Sequence, residues 1–308
     1  VSGDDVRSGA AVHEPVLLDE VLTMLRLQPN MTCIDATLGL GGHAAAMLAA
    51  SAPYGRLLGI ERDSAALGLA RERLAGFGAR AVCVQGTFGN VAALAAAHGF
   101  EQADAVLFDI GVSSLQLDDA ARGFSVQADA RLDMRMDQSQ GLTAAEVVNT
   151  WAEEALCTLL REAGGEPLAA AIARAIVRRR AVQRIETTQE LARLVSGVYY
   201  GRGWRRSRLH PATRTFQAVR MAVNNELEEL RAGLAGARHV MAPGARMAVI
   251  SFHSGEDRVV KHVFRQWERV EGAGVVVTKR PIEARVAEVG RNPRARSAKL
   301  RGFERGAA

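Results

Sequence analysis

Thr32-Cys33-Ile34-Asp35-Ala36-Thr37-Leu38-Gly39-Leu40-Gly41-Gly42-His43 decides the fold. Thr32 to Ala36 is a short apolar run with a β-branched start, which predicts a buried strand. Gly39-Leu40-Gly41-Gly42 is a turn, and residues 43–50 are small and helix-compatible. A strand, a glycine turn and a helix open a βαβ unit. Working outward, 56–61, 81–84 and 105–110 read as further strands, with helical runs 64–75 and 90–98 between them. Strands alternating with helices of this length predict a parallel, doubly wound α/β sheet.

After residue 112 the strand signal disappears. Thr143-Ala-Ala-Glu146 and Thr187-Thr-Gln-Glu190 are capping boxes, each an N-cap hydroxyl with a glutamate three residues on. Leu168, Ile172, Ala175 and Ile176 trace one helical face of the run 167–182. Strand character returns at 246–252 and 275–278, behind a helix carrying Phe216, Val219, Val223, Leu227, Leu230 and Leu234. The expected organisation is therefore a discontinuous α/β domain, 1–112 and 215–308, interrupted by an all-helical insert, 113–214.

Composition removes several classes. The 308 residues are 48% hydrophobic and 24% charged, a globular balance. No run approaches the roughly 20 apolar residues of a membrane helix. Val1 to His13 lacks the basic-then-apolar plan of a signal peptide, so a cytoplasmic location is expected. Cys33, Cys83 and Cys157 are scattered, and the seven histidines form no i,i+3 or i,i+4 pair, so no structural metal is expected.

Two motifs point to a nucleotide-type cofactor. The glycines allow close backbone approach, and Glu61, ending the second strand, could accept hydrogen bonds from ribose hydroxyls. Gly39, Gly41 and Ala44 also satisfy the relaxed dinucleotide pattern, so NAD and an empty tight turn remain competing readings. Asp35 tilts the choice toward S-adenosylmethionine, since a carboxylate there could hold a methionyl ammonium. Asp109, ending the fourth strand before Gly111-Val112-Ser113-Ser114, adds a carboxylate and hydroxyls where such sheets bind ligands. Turn or capping chemistry is the competing reading for the two serines.

The segments His13–Glu20, Asp35–His43 and Phe108–Asp118 closely resemble the bacterial 16S ribosomal RNA cytosine-N4 methyltransferase family (small-subunit methyltransferase H). So do Arg122-Gly-Phe-Ser125, Leu132–Asp137, His210–Gln217, Ile250-Ser-Phe-His-Ser254 and Asn292–Lys299. The matches run from residue 13 to about 301. The resemblance implies a Rossmann-like methyltransferase domain with an inserted helical domain, acting on the N4 amine of a cytidine in the decoding region of the small subunit's RNA. It places cofactor contacts on Gly41, Gly42, His43, Glu61, Phe88, Asp109 and Gln116. Phe88 would pack on the adenine, where a core aromatic is the ordinary alternative. Glu61 departs from the family's more frequent aspartate, and Gly165-Glu166-Pro167 and Gly255 depart from its local pattern.

Methylating that amine is demanding because its lone pair is delocalised into the ring. In-line positioning could contribute about 7–11 kcal/mol. An acceptor facing the N4 hydrogen would localise the lone pair, and Asp109 and Ser113 are the candidate catalytic residues. The base must be unpaired or extruded, so the backbone needs a cationic surface. Segment 174–214 carries eleven arginines against two glutamates, and 279–308 nine basic residues against three glutamates, leaving the remainder at −10. Tyr199, Tyr200 and Trp204 lie among those arginines and could stack on bases. Candidate RNA contacts are Arg205, Arg206, Arg208, Arg214, His253, Arg294, Arg296 and Lys299. An NAD-dependent dehydrogenase and a non-catalytic ribosome-binding or assembly protein are the alternative functions; the first leaves the insert's arginines without a role, the second leaves Asp35, Gly41 and Asp109 as coincidences.

Overall fold

The computed structural model describes residues 15–204 and 210–307. Helix α1 (Leu18–Leu25) precedes β1 (Thr32–Asp35), α2 (Gly42–Ala50), β2 (Arg56–Glu61), α3 (Ser64–Leu74), β3 (Ala81–Gln85), α4 (Val91–His98) and β4 (Ala103–Asp109). Helices α5 (Ser114–Asp118), α6 (Ala144–Thr150), α7 (Glu153–Glu162), α8 (Ala169–Val182), α9 (Thr188–Tyr200), α10 (Thr213–Val223) and α11 (Glu226–Val240) follow. The chain ends with β5 (Met241–Ser251), α12 (Ser254–Arg269), β6 (Gly274–Val276), β7 (Ile282–Glu283), α13 (Val286–Arg291) and β8 (Lys299–Arg305).

The sheet runs in the order β3-β2-β1-β4-β5-β8-β6, with β7 paired to β8. The first five strands are parallel, with Ile34 registered to Leu58 and Val106, and Leu107 to Ala248. Alternation along each strand feeds two cores. In β4, Val106 and Phe108 face the layer of α4, α11 and α12, whereas Ala105 and Leu107 face α1, α2 and α3. The expected doubly wound sheet is what forms.

The helical segment has a third core of its own, built from residues such as Val147, Leu160, Ile172, Leu191 and Phe216. Thr143 and Thr187 both form the anticipated capping boxes, with Glu146 and Glu190. The run from Phe216 to Leu234 differs from the single helix its spacing predicts. Asn225 adopts a left-handed backbone (φ 50°) and splits it into α10 and α11. The Asn224 amide locks the break, accepting from Met136 N–H and donating to the carbonyls of Met134 and Arg220. Phe216 to Val223 accordingly pack with the helical segment, and Leu230 and Leu234 with the sheet. The change of core falls at Asn224–Asn225, past the 214/215 seam that composition suggests.

The C-terminal basic stretch also differs from expectation. Its end is β8, antiparallel to both β5 and β6. Arg301 is buried there and forms a two-pronged pair with Asp257 at 2.6 and 3.1 Å.

Candidate active site

The strand order reverses between β1 and β4, and ligand crevices of open α/β sheets form outside such a switch point. A cavity of about 560 Å³ opens there, beyond the C-terminal ends of the parallel strands. One wall is the glycine turn, Glu61, Phe88 and Asp109; the opposite wall comes from α10 and from Phe252 and His253 after β5.

The glycines serve different needs. Gly39 (φ +52°) turns the chain, and Gly41 (φ +77°) caps α2 in a left-handed backbone that disfavours any side chain, although a Cβ there would make only ordinary contact with Leu74 and Ala70 at 3.4–3.6 Å. Gly42 has no room for a side chain, since a Cβ would lie 2.7 Å from Pro15. Gly39 and Gly42 line the cavity, while Gly41 shapes its wall from behind. Glu61 is fixed by two backbone donors: Gly39 N–H gives to Oε2 and Asp63 N–H to Oε1, each at 2.8 Å. A carboxylate oxygen holds further lone pairs, so Glu61 can still accept from a ligand hydroxyl. Burial raises its pKa.

Gln116 is buried with its amide already employed. Its Oε1 accepts from Ser113 N–H, and its Nε2 donates to Asp63 Oδ2 at 2.9 Å. Arg122 reaches the same Asp63 oxygen at 2.9 Å and also donates to the carbonyls of Arg135 and Met136. Ser113 caps α5, its Oγ accepting from Gln116 N–H at 3.3 Å. That use leaves the hydroxyl hydrogen and a second lone pair on Ser113. Phe88 lines the cavity while packing edge-on against Phe108, centroids 5.9 Å apart; Gly233 makes room for its ring, as a Cβ there would lie 2.9 Å from it.

Asp35 departs from expectation. It is buried beneath the cavity rather than on its wall, with Oδ1 turned back to accept from Thr37 N–H at 3.2 Å. Burial pushes its carboxyl up to about 7. The group that does reach the cavity is Asp109, which keeps 25% of its side-chain surface exposed. Burial, then the charges of Asp35 and Glu256, push its carboxyl up to about 8. Its Oδ1 is buried and has no hydrogen-bond partner among the described residues. The exposed quarter of the side chain, and not this buried oxygen, is therefore what a ligand donor could meet.

The expected RNA contacts separate. His253 lines the cavity, but Nδ1 accepts from the Gly255 and Glu256 N–H groups as the N-cap of α12, and Nε2 lies 2.8 Å from Glu256 Oε1. Arg294 also lines it and pairs with Asp118 at 2.7 Å. Arg214 is exposed on α10 and donates to the Gly165 carbonyl. Arg296 is exposed and Lys299 half-buried, both off the cavity wall. Arg205, Arg206 and Arg208 lie outside the described residues. Sequence reading missed one wall altogether: Thr213, Phe216, Gln217 and Arg220 present one face of α10 at i, i+3, i+4 and i+7. That spacing is visible in the sequence, but Phe216 also falls on the apolar stripe that predicts a core helix. Arg220 is held by Glu226 through two 2.7 Å contacts, with Glu256 3.8 Å away.

The model of the MraW methylase family matches residues 10–306 of this chain. A Thermomicrobium roseum protein named Ribosomal RNA small subunit methyltransferase H is 48% identical over 310 residues, spanning 96% of this chain and 94% of its own length. Proteins of the same name from Symbiobacterium thermophilum and Syntrophotalea carbinolica are 48% and 46% identical. They span 94% and 95% of this chain and 95% and 98% of their own lengths.

Proposed function

The chain belongs to the MraW methylase family, and from that premise we propose that it transfers a methyl group from S-adenosylmethionine to the exocyclic N4 amine of a cytidine in the decoding region of 16S ribosomal RNA. The observation that supports this most is Asp109: a carboxyl on the cavity wall with a quarter of its side-chain surface exposed, beside a glycine turn and a ribose-type carboxylate. The methyltransferase name of the relatives gives no support to the dehydrogenase reading or to a non-catalytic one.

The wall fits the cofactor. Glu61 would accept from ribose hydroxyls, Phe88 would cover the adenine, and the Gly39–Gly42 turn and His43 would bound the amino-acid end; Asp35 would act from below, by its charge. Bound there, S-adenosylmethionine supplies an electrophilic methyl group. The chain's own residues then orient the base. The exposed edge of the Asp109 carboxylate would accept the N4 hydrogen, localising the nitrogen lone pair and taking up developing positive charge. Ser113, with its hydroxyl hydrogen uncommitted, would donate to a base acceptor. The α10 wall and Phe252 would exclude water and hold the extruded base, while the arginines of the helical insert would hold the RNA backbone.

Labelled S-adenosylmethionine, offered with naked 16S RNA and with assembled small subunits, tests the reading. Label is expected on N4 of one decoding-region cytidine, in one or both substrates. Label on a ring carbon or a ribose oxygen would replace this chemistry with another. Asp109→Ala is expected to lower kcat by about 10²–10³ while cofactor binding persists; full turnover would remove Asp109 from the mechanism.

A further inference from the structure

Helix α12 is divided by its own periodicity. Val260, Phe264 and Trp267 recur at i, i+4 and i+7 and are buried in the core that also holds Phe303. Arg258, His262, Arg265 and Arg269 recur at i, i+4, i+7 and i+11, about half a turn round the helix, so they share the opposite face. All four are exposed, and Lys261 stands half-buried at the edge of the same stripe. Among the described residues, none of these five side chains has a hydrogen-bond or ion-pair partner.

The carboxylates of the helix are committed elsewhere. Glu256 Oε2 accepts from the Phe252 and His253 N–H groups at 2.9 and 3.2 Å, Asp257 holds Arg301, and Glu268 Oε1 accepts from Val276 N–H at 2.9 Å. Glu271, just past the helix, pairs with Arg238. Acid is thus turned toward the protein and base toward solvent. Lys261 and Arg265, and then Arg265 and Arg269, are like-charged i,i+4 neighbours, an arrangement that destabilises a helix. The stripe works against the helix until a polyanion lies along it.

Its position ties it to the cavity. His253, the N-cap of α12, lines the cavity wall, and the helix carries the stripe away from that point. From Arg258 to Arg269 the stripe runs about 16 Å at 1.5 Å per residue, enough to accompany a nucleic-acid strand past several phosphates.

We propose that the outer face of α12 is a phosphate track: Arg258, Lys261, Arg265 and Arg269 hold the RNA backbone on one side of the nucleotide whose base enters the cavity. This inference rests on the RNA substrate given under Proposed function, and it adds a surface that belongs to neither arginine-rich segment. His262 lies within the track, where a ring N–H can donate to a phosphate oxygen.

Four substitutions in one chain, Arg258→Gln, Lys261→Gln, Arg265→Gln and Arg269→Gln, remove the charge without touching the cavity. With 16S RNA and with assembled small subunits as probes, the slope of log K against log salt should shrink by about 0.7–0.9 for each cation that meets phosphate. In turnover, KM for RNA should rise more than kcat falls, because the contact is made equally in ground and transition states. Affinity for S-adenosylmethionine should be unchanged, and the thermal midpoint should hold or rise as the like-charge repulsion is relieved. A second variant, Arg258→Lys with Arg265→Lys and Arg269→Lys, keeps the charge and should keep the slope. An unchanged slope in the glutamine variant would overturn the proposal, whether the face is merely solvated or instead holds vesicles of anionic phospholipid. A lysine variant that loses as much slope as the glutamine variant would overturn it too, since counterion release counts charge and not its shape. Wild type that neither binds nor methylates RNA would remove the functional reading itself. Wild type that methylates RNA while the glutamine variant keeps the full slope would remove this proposal alone.

Discussion

The two arginine-rich segments look alike as sequence and behave differently as structure. In 174–204, Arg174, Arg178, Arg184 and Arg193 are exposed on or between α8 and α9, and Arg202 is exposed just past α9. In 279–307, the last third of the segment is woven into the sheet. Arg301 is buried against Asp257, and Arg305 donates to the Met241 carbonyl. The aromatics of the first segment divide in the same way. Tyr199 is buried with its hydroxyl 2.5 Å from Glu166 Oε1, whereas Tyr200 is 58% exposed beside Trp204, centroids 5.8 Å apart. Charge summed along a chain therefore overstates the surface available to RNA. A buried arginine must answer a carboxylate within the protein, and only what remains outside can answer phosphate.

The sharpest way to break this comparison is Arg301→Ala. It strands Asp257 on α12, packed against the sheet, and should destabilise by about 3–5 kcal/mol, read as a lower denaturant midpoint at unchanged slope. Replacing both partners, Arg301→Met with Asp257→Leu, should recover most of that loss, because paired removal leaves no lone charge. If Arg301→Ala were as stable as wild type but bound RNA more weakly, the C-terminal strand would belong with the RNA-facing surface after all. The opposite behaviour is expected of Arg174→Ala with Arg178→Ala, an exposed i,i+4 pair on α8. Stability should stay within about 0.5 kcal/mol. Affinity for ribosomal RNA should fall, and the slope of log K against log salt should shrink by about 1.4–1.8 if both arginines meet phosphate. An unchanged slope would leave that helix outside the footprint.

The sheet was legible because its signals are local: a glycine turn after an apolar run, acidic strand ends, helices of crossover length. Gly42, Glu61 and Asp109 on the cavity's near wall followed from the same signals, whereas Phe88, which also lines it, came only from the family resemblance. What escaped was set by tertiary contact. Asp35 carries the right chemistry at the right spacing, yet its carboxylate folds back onto Thr37 N–H beneath the cavity. The α10 wall has a readable face, but the break at Asn224–Asn225 depends on an amide clamped to Met134 and Met136, far off in sequence. β8 was hidden by its charges, since Lys299, Arg301 and Arg305 interrupt the apolar alternation that marks a strand.

Arg296 gives the finest comparison, because it belongs to the same segment as Arg301. It is exposed in the turn Pro293–Ser297, whose Arg294 and Ser297 reach the cavity wall. With no buried charge to strand, Arg296→Ala should leave the unfolding midpoint within about 0.5 kcal/mol of wild type. Its effect should be confined to RNA, as a loss of about 0.7–0.9 in the salt slope from one phosphate contact. Measured beside Arg301→Ala, it separates position from composition: two arginines, five residues apart in one basic run, one acting on stability and the other on binding. A stability loss at Arg296 rivalling that at Arg301 would mean the turn is built into the fold as firmly as the strand, and the segment's exposed charge would have to be sought in Lys279, Arg280 and Arg285 instead.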